Sequence, residues 1–108
     1  MELSTFLLVH RHVNDYKPSP EAAVAWRDWF TALGEALVDP GNAVLDDRAT
    51  VGAVVASLPL GGYTIINASG LEEAVRLAHG CPAVSNGGAV EVGRLSPVPG
   101  RRHAARIF

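Results

Sequence analysis

His10 closes an apolar run near the N-terminus, and His12 follows two residues later. On a strand, residues two apart share a face, so the pair is a conceivable metal half-site. A third ligand is needed, and the spacing marks none, so these read as strand-end histidines and no metal is assigned. General base chemistry is the better use of His10. Tyr63 and Glu91 open two other β-favouring stretches, GGYTIINA and AVEVGRL. If both stretches flank the first one antiparallel, their early ends lie beside its late end. An imidazole, a phenol and a carboxylate then converge, and a carboxylate that orients a histidine supports proton transfer near neutral pH. His10, Glu91 and Tyr63 are therefore the candidate catalytic residues. His12, Trp26 and Trp29 are the candidate ligand-binding residues, although tryptophans at helical spacing are more often core. The arrangement depends on register, because a shift of one residue sends His10 and Glu91 to opposite faces. It also carries a sign. A buried Glu91 beside His10 raises the histidine pKa, whereas burial alone lowers it.

The stretch NASGLEEAVRLAHGCP, residues 67–82, offers a second constellation, His79 with the single cysteine, Cys81. Each residue there also has a structural job. Ser69 and Glu72 have the capping-box spacing. Leu71, Ala74, Val75 and Ala78 recur with a helical period. His79 suits the last turn, Gly80 reads as a left-handed terminator, and Pro82 blocks continuation. A helix over Ser69–His79 is predicted. A thiol at its C-terminal end meets the negative end of the dipole, which disfavours a thiolate. Cys81 is read as structural. The Asn67 triplet is a chance match if the chain never enters the secretory route. Gly61-Gly62 lacks a phosphate-loop context, and no serine elbow, HExxH or EF-hand pattern occurs.

The elements that position these residues follow from punctuation and period. Leu3–Arg11 reads as a buried strand, and VNDYKPSP as a loop. Ser19-Pro20-Glu21 is a helix start, and the helix is predicted to run to about Val38 with Ala22, Trp26, Trp29, Leu33 and Leu37 on one side. DPGN, residues 39–42, closes it as a turn. RATV and VVAS, within 43–59, suggest a β-hairpin around Gly52-Ala53. The order of elements gives an α+β domain, a ferredoxin-like antiparallel sheet with two helices on one face. Residues 1–98 form that domain and 99–108 a C-terminal tail.

With 108 residues, 48 % hydrophobic and 19 % charged, the chain fits one ordinary globular domain. A formal net charge of −2 lacks the basic footprint of a nucleic-acid partner. The segment MELSTFLLVHRH has no basic n-region and is too short for a signal core or a membrane span. One cysteine excludes an internal disulfide, and a cytoplasmic location is expected.

Leu60–Val92 resembles the YCII-related family, also called DGPF-domain proteins. The resemblance lies in a strand opening GGY, a helix of the form LxEAxxLAxGCP, a GG turn and a strand carrying VEV. Trp29–Asn42 is similar to that family's first helix and its exit. The resemblance implies a homodimer of the dimeric α/β-barrel type, with a cleft and no required cofactor. Two departures stand out. Where DGPF is expected the chain reads ASLP, residues 56–59, and the first helix has no histidine for the His/Asp pair of the better-studied branch. The expected function is a cleft for an apolar or cyclic metabolite, worked by a cofactor-independent lyase or isomerase. The alternatives are a non-catalytic binding or regulatory module, and a purely structural dimer. The expected partners are a second copy and a small molecule, with no nucleic acid and no membrane.

Overall fold

A computed structural model describes residues 2–54 and 57–97. Its elements are β1 (Ser4–Arg11), α1 (Pro20–Leu33), β2 (Leu37–Asp39), β3 (Leu60–Ala68), α2 (Leu71–Ala78), the short α3 (Pro82–Ser85) and β4 (Ala89–Arg94). One antiparallel sheet has the order β2-β3-β1-β4, the ferredoxin-like arrangement, with β1 in an interior position. The C-terminal tail, beyond residue 97, lies outside the described residues.

Alternation along β1 and β3 decides which side of the sheet becomes the core. Phe6 and Leu8 from β1 and Ile66 and Ala68 from β3 are fully buried. Trp29 and Leu33 of α1, Ala74 and Ala78 of α2, and Ala83 of α3 close over that face. Small residues on α2 let its backbone approach the sheet. Burying side chains the size of Phe6, Leu8 and Ile66 stabilises the fold by about 1.5–3 kcal/mol each.

Two helix boundaries differ from the sequence expectation. Helix α1 is capped as predicted, with Ser19 Oγ accepting from the Ala22 amide at 3.0 Å. It stops at Leu33, because Gly34 takes a left-handed φ of 56° that ends the α-helical ladder. After a 3-10 turn the chain turns extended, and Leu37–Asp39 becomes edge strand β2 instead of the last turn of the helix. Helix α2 begins one residue later than the capping-box reading placed it. Gly70 is the N-cap with no side-chain bond, and Glu73 reaches back to the Ser69 amide at 2.8 Å. Ser69 is therefore not the cap. Nor is Gly80 a left-handed terminator, since it is not among the glycines with positive φ. Its lack of a Cβ serves packing, because a Cβ there would lie 3.1 Å from Trp29 Cδ1.

The hairpin predicted within 43–59 is absent among the described residues. That span contributes a single bridge, Ala43 to Gly62, and otherwise irregular chain; residues 55 and 56 lie outside the description. The fourth strand of the sheet comes instead from the helix exit, Leu37–Asp39.

Candidate functional site

Turn DPGN, predicted as the close of α1, instead follows β2 and supplies part of a site. Asp39 Oδ1 accepts from the Gly41 amide at 2.8 Å, and Gly41 has φ 75°. This local turn aims the Pro40 carbonyl inward. Its exit is bridged to β3, with the Tyr63 amide donating to the Asn42 carbonyl at 3.3 Å. Gly62 is required for that approach, because a Cβ there would meet the Asn42 oxygen at 2.6 Å. Opposite His10 and Arg11, β3 carries an irregularity at Gly61, where strand pairing slips.

His10 and Thr64 are the two buried polar residues among those described. The Thr64 hydroxyl donates to the Pro40 carbonyl at 3.1 Å and lies 3.0 Å from His10 Nε2. A carbonyl only accepts and a hydroxyl has one proton, so that proton goes to Pro40. Thr64 Oγ1 must then accept from His10 Nε2–H. Burial pushes the His10 pKa down from 6.5 to about 4, so the ring is neutral at pH 7. With the proton on Nε2, the Nδ1 lone pair is left over. Among the described residues no group bonds to it, and no buried side-chain nitrogen or oxygen is without a partner. Nδ1 therefore opens to solvent space, and the space beside His10 is a cavity of about 340 Å³.

Trp26 forms the wall against the imidazole, with ring centroids 4.7 Å apart, and Phe30 extends it. His12 and Tyr16 line the cavity too, their rings 5.2 Å apart. His12 Nδ1 donates to the Val13 carbonyl at 2.8 Å, which leaves its Nε2 as the available nitrogen. The cavity is thus an aromatic slot with two imidazoles and no carboxylate among its lining residues. Among the described residues no three His, Cys, Asp or Glu side chains gather to hold a metal.

Of the six sequence candidates, His10, His12, Trp26 and Tyr63 line this one cavity. Glu91 does not. Register pairs His10 with Val90 and Val9 with Glu91, so the carboxylate leaves the sheet on the face opposite His10. The His10 pKa moves down, as burial alone requires, and not up as a Glu91 partner would require. The convergence of a histidine, a phenol and a carboxylate is therefore corrected. Tyr63 pairs with Val9, so its ring also belongs to the far face, although the residue borders the cavity. Its hydroxyl accepts from Asn42 Nδ2 at 3.3 Å. Trp29 is a core residue, 6 % exposed, and its Nε1 donates to the Leu77 carbonyl at 3.1 Å, tying α1 to α2. Cys81 is buried, and burial pushes its thiol up to about 11, which leaves no thiolate for nucleophilic work.

Sequence reasoning missed Thr64 and Pro40. A signal for Thr64 was present: on the alternation of GGYTIINA it falls with Ile66 and Ala68, a hydroxyl placed on an otherwise apolar face.

No family model matches the chain, and no curated protein matches it. Among solved structures, it is similar to 5-chloro-2-hydroxyhydroquinone dehydrochlorinase of Burkholderia phenoliruptrix AC1100, determined in complex with 2,5-dihydroxybenzoquinone. The TM-score is 0.56 at 17 % identity, over 88 % of this chain and 96 % of that one. The likeness is one of fold. No helix among the described residues is long and apolar enough to cross a membrane.

Proposed function

We propose that the chain binds a hydroxylated or keto ring in the His10 cavity and assists proton transfer on it without a cofactor, as a lyase or isomerase. The observation that carries this reading is the Thr64 hydroxyl between His10 Nε2 and the Pro40 carbonyl, which assigns the His10 tautomer. Thr64 holds Nε2–H, which leaves Nδ1 as the acceptor of a ring that lines an aromatic cavity. A ring hydroxyl donates to Nδ1 while the ring packs on Trp26 and Phe30. An imidazole with a pKa of about 4 is first an acceptor. It becomes a base when the ligand keeps its negative charge beside the new imidazolium, as an enolate or phenolate does. Structural kinship with a protein that holds a dihydroxybenzoquinone supports this class of ligand.

A second reading, a non-catalytic binding module, has its own observation. No carboxylate lines the cavity, so no protein group there stabilises a protonated His10. The experiment is titration of 5-chloro-2-hydroxyhydroquinone, which can lose HCl, by tryptophan fluorescence, followed by product analysis. Binding lost in His10→Ala supports the cavity. Chemical conversion by the wild type and none by the variant separates the catalyst from the binder. No binding by the wild type contradicts both.

Membership of the YCII-related family and a cytoplasmic homodimer belong to the same proposal. On the sheet face away from the helices, Leu7 pairs with Ile65 and Val9 with Tyr63, an apolar patch that a second copy would cover. A monomer by light scattering at micromolar concentration would contradict the dimer.

A further inference from the structure

We infer that the His10 cavity is the inner half of a bipartite site whose ligand is an aromatic ring carrying a zwitterionic arm of the amino-acid type. The inference rests on the ring-binding reading above and adds the substituent. A second groove of about 500 Å³ lies between the start of α1 and α3. Tyr16, Ser19, Ala22 and Asn86 line both spaces, so the two adjoin along one wall. Their chemistry differs. The inner part is aromatic and imidazole-lined, and its one full charge is Arg11, which donates to the Leu58 carbonyl at 3.3 Å. The outer part presents Lys17, Glu21 and Ser85 instead.

Lys17 and Glu21 carry opposite charges into one groove without pairing. The ion pairs among the described residues are Arg48–Asp46 and Arg76–Glu73, and neither involves this groove. A lone carboxylate or a lone ammonium on the ligand would meet one favourable and one unfavourable charge. A zwitterion matches both, with its carboxylate toward Lys17 and its ammonium toward Glu21. Ser85 Oγ donates to the Pro82 carbonyl at 3.0 Å and so remains an acceptor for the same ammonium. Both charged residues are exposed, so their contribution is selectivity of about tenfold between them, not the bulk of the affinity.

Calorimetric titration with p-cresol and with L-tyrosine tests the arm against the ring. Wild type should bind L-tyrosine about tenfold tighter than p-cresol. In the double variant Lys17→Gln/Glu21→Gln, tyrosine should fall to the p-cresol affinity, with p-cresol itself unchanged. Equal affinities in the wild type, or full tyrosine affinity in the double variant, would overturn the arm. His10-dependent binding of p-cresol alongside either result leaves the ring site standing. If neither compound binds the wild type, arm and ring site fall together.

Discussion

The Thr64 hydroxyl stands between His10 Nε2 at 3.0 Å and the Pro40 carbonyl at 3.1 Å, and this relay fixes which imidazole nitrogen keeps its lone pair. The relay joins β1, β3 and the turn after β2. It works as a positioning device, since Thr64 is fully buried and shapes the site through His10 and Pro40.

Thr64→Val is close in volume and removes the hydroxyl. It leaves the buried Nε2–H and the Pro40 carbonyl without partners, at an expected cost of about 1–3 kcal/mol. Thr64→Ser restores the hydroxyl and should recover most of the loss. Urea denaturation of both variants checks this. A Thr64→Val protein as stable as wild type would contradict the relay.

Stability should also depend on acid in a defined window. His10 titrates at about 4 in the folded chain against 6.5 unperturbed. Between those values the unfolded chain binds a proton that the folded chain refuses. Stability therefore falls as pH drops from 6.5 towards 4, by at most about 1.4 kcal/mol per pH unit, and this contribution is flat above 6.5. His10→Phe should remove that slope. Glu91→Gln should leave the His10 titration unchanged, because Glu91 occupies the other face.

The two tryptophans should separate cleanly. Trp29→Phe loses the bond to the Leu77 carbonyl and should cost about 1 kcal/mol or more of stability while ligand affinity is kept. Trp26→Ala removes the wall against His10 and should weaken ring binding several-fold. Thermal melts and fluorescence titrations of the pair check the assignment. Reversed roles would contradict it.

Much of this was legible in the sequence, and the limits are physical. A compact apolar run marked β1, β-branched and aromatic content marked β3, and Ser-Pro-Glu marked the start of α1. What failed was register and range. Glu91 misses His10 by one residue, and alternation within a strand does not report which residue it faces on the next. Thr64 and Pro40 are 24 residues apart, joined by a turn whose role depends on β2 forming where a helix was expected. The local rules assigned Leu37 to the helix; pairing with Ile66 took it into the sheet.

Cys81 should be chemically quiet. The residue is 1 % exposed, and burial pushes its thiol pKa up to about 11. Alkylation by iodoacetamide at pH 7.5 should be slow in the native chain and fast in denaturant. Cys81→Ala should retain ring binding. Rapid native alkylation that abolished binding would contradict this placement.

The central claim is that His10 is a neutral Nε2–H imidazole whose Nδ1 receives the ligand. Long-range 1H–15N NMR of His10 at pH 7, with and without p-cresol, addresses it directly. The account predicts the Nε2–H tautomer in the free protein and a shift confined chiefly to Nδ1 on binding. An Nδ1–H tautomer in the free protein, or an Nδ1 resonance unmoved at saturating ligand, would contradict it.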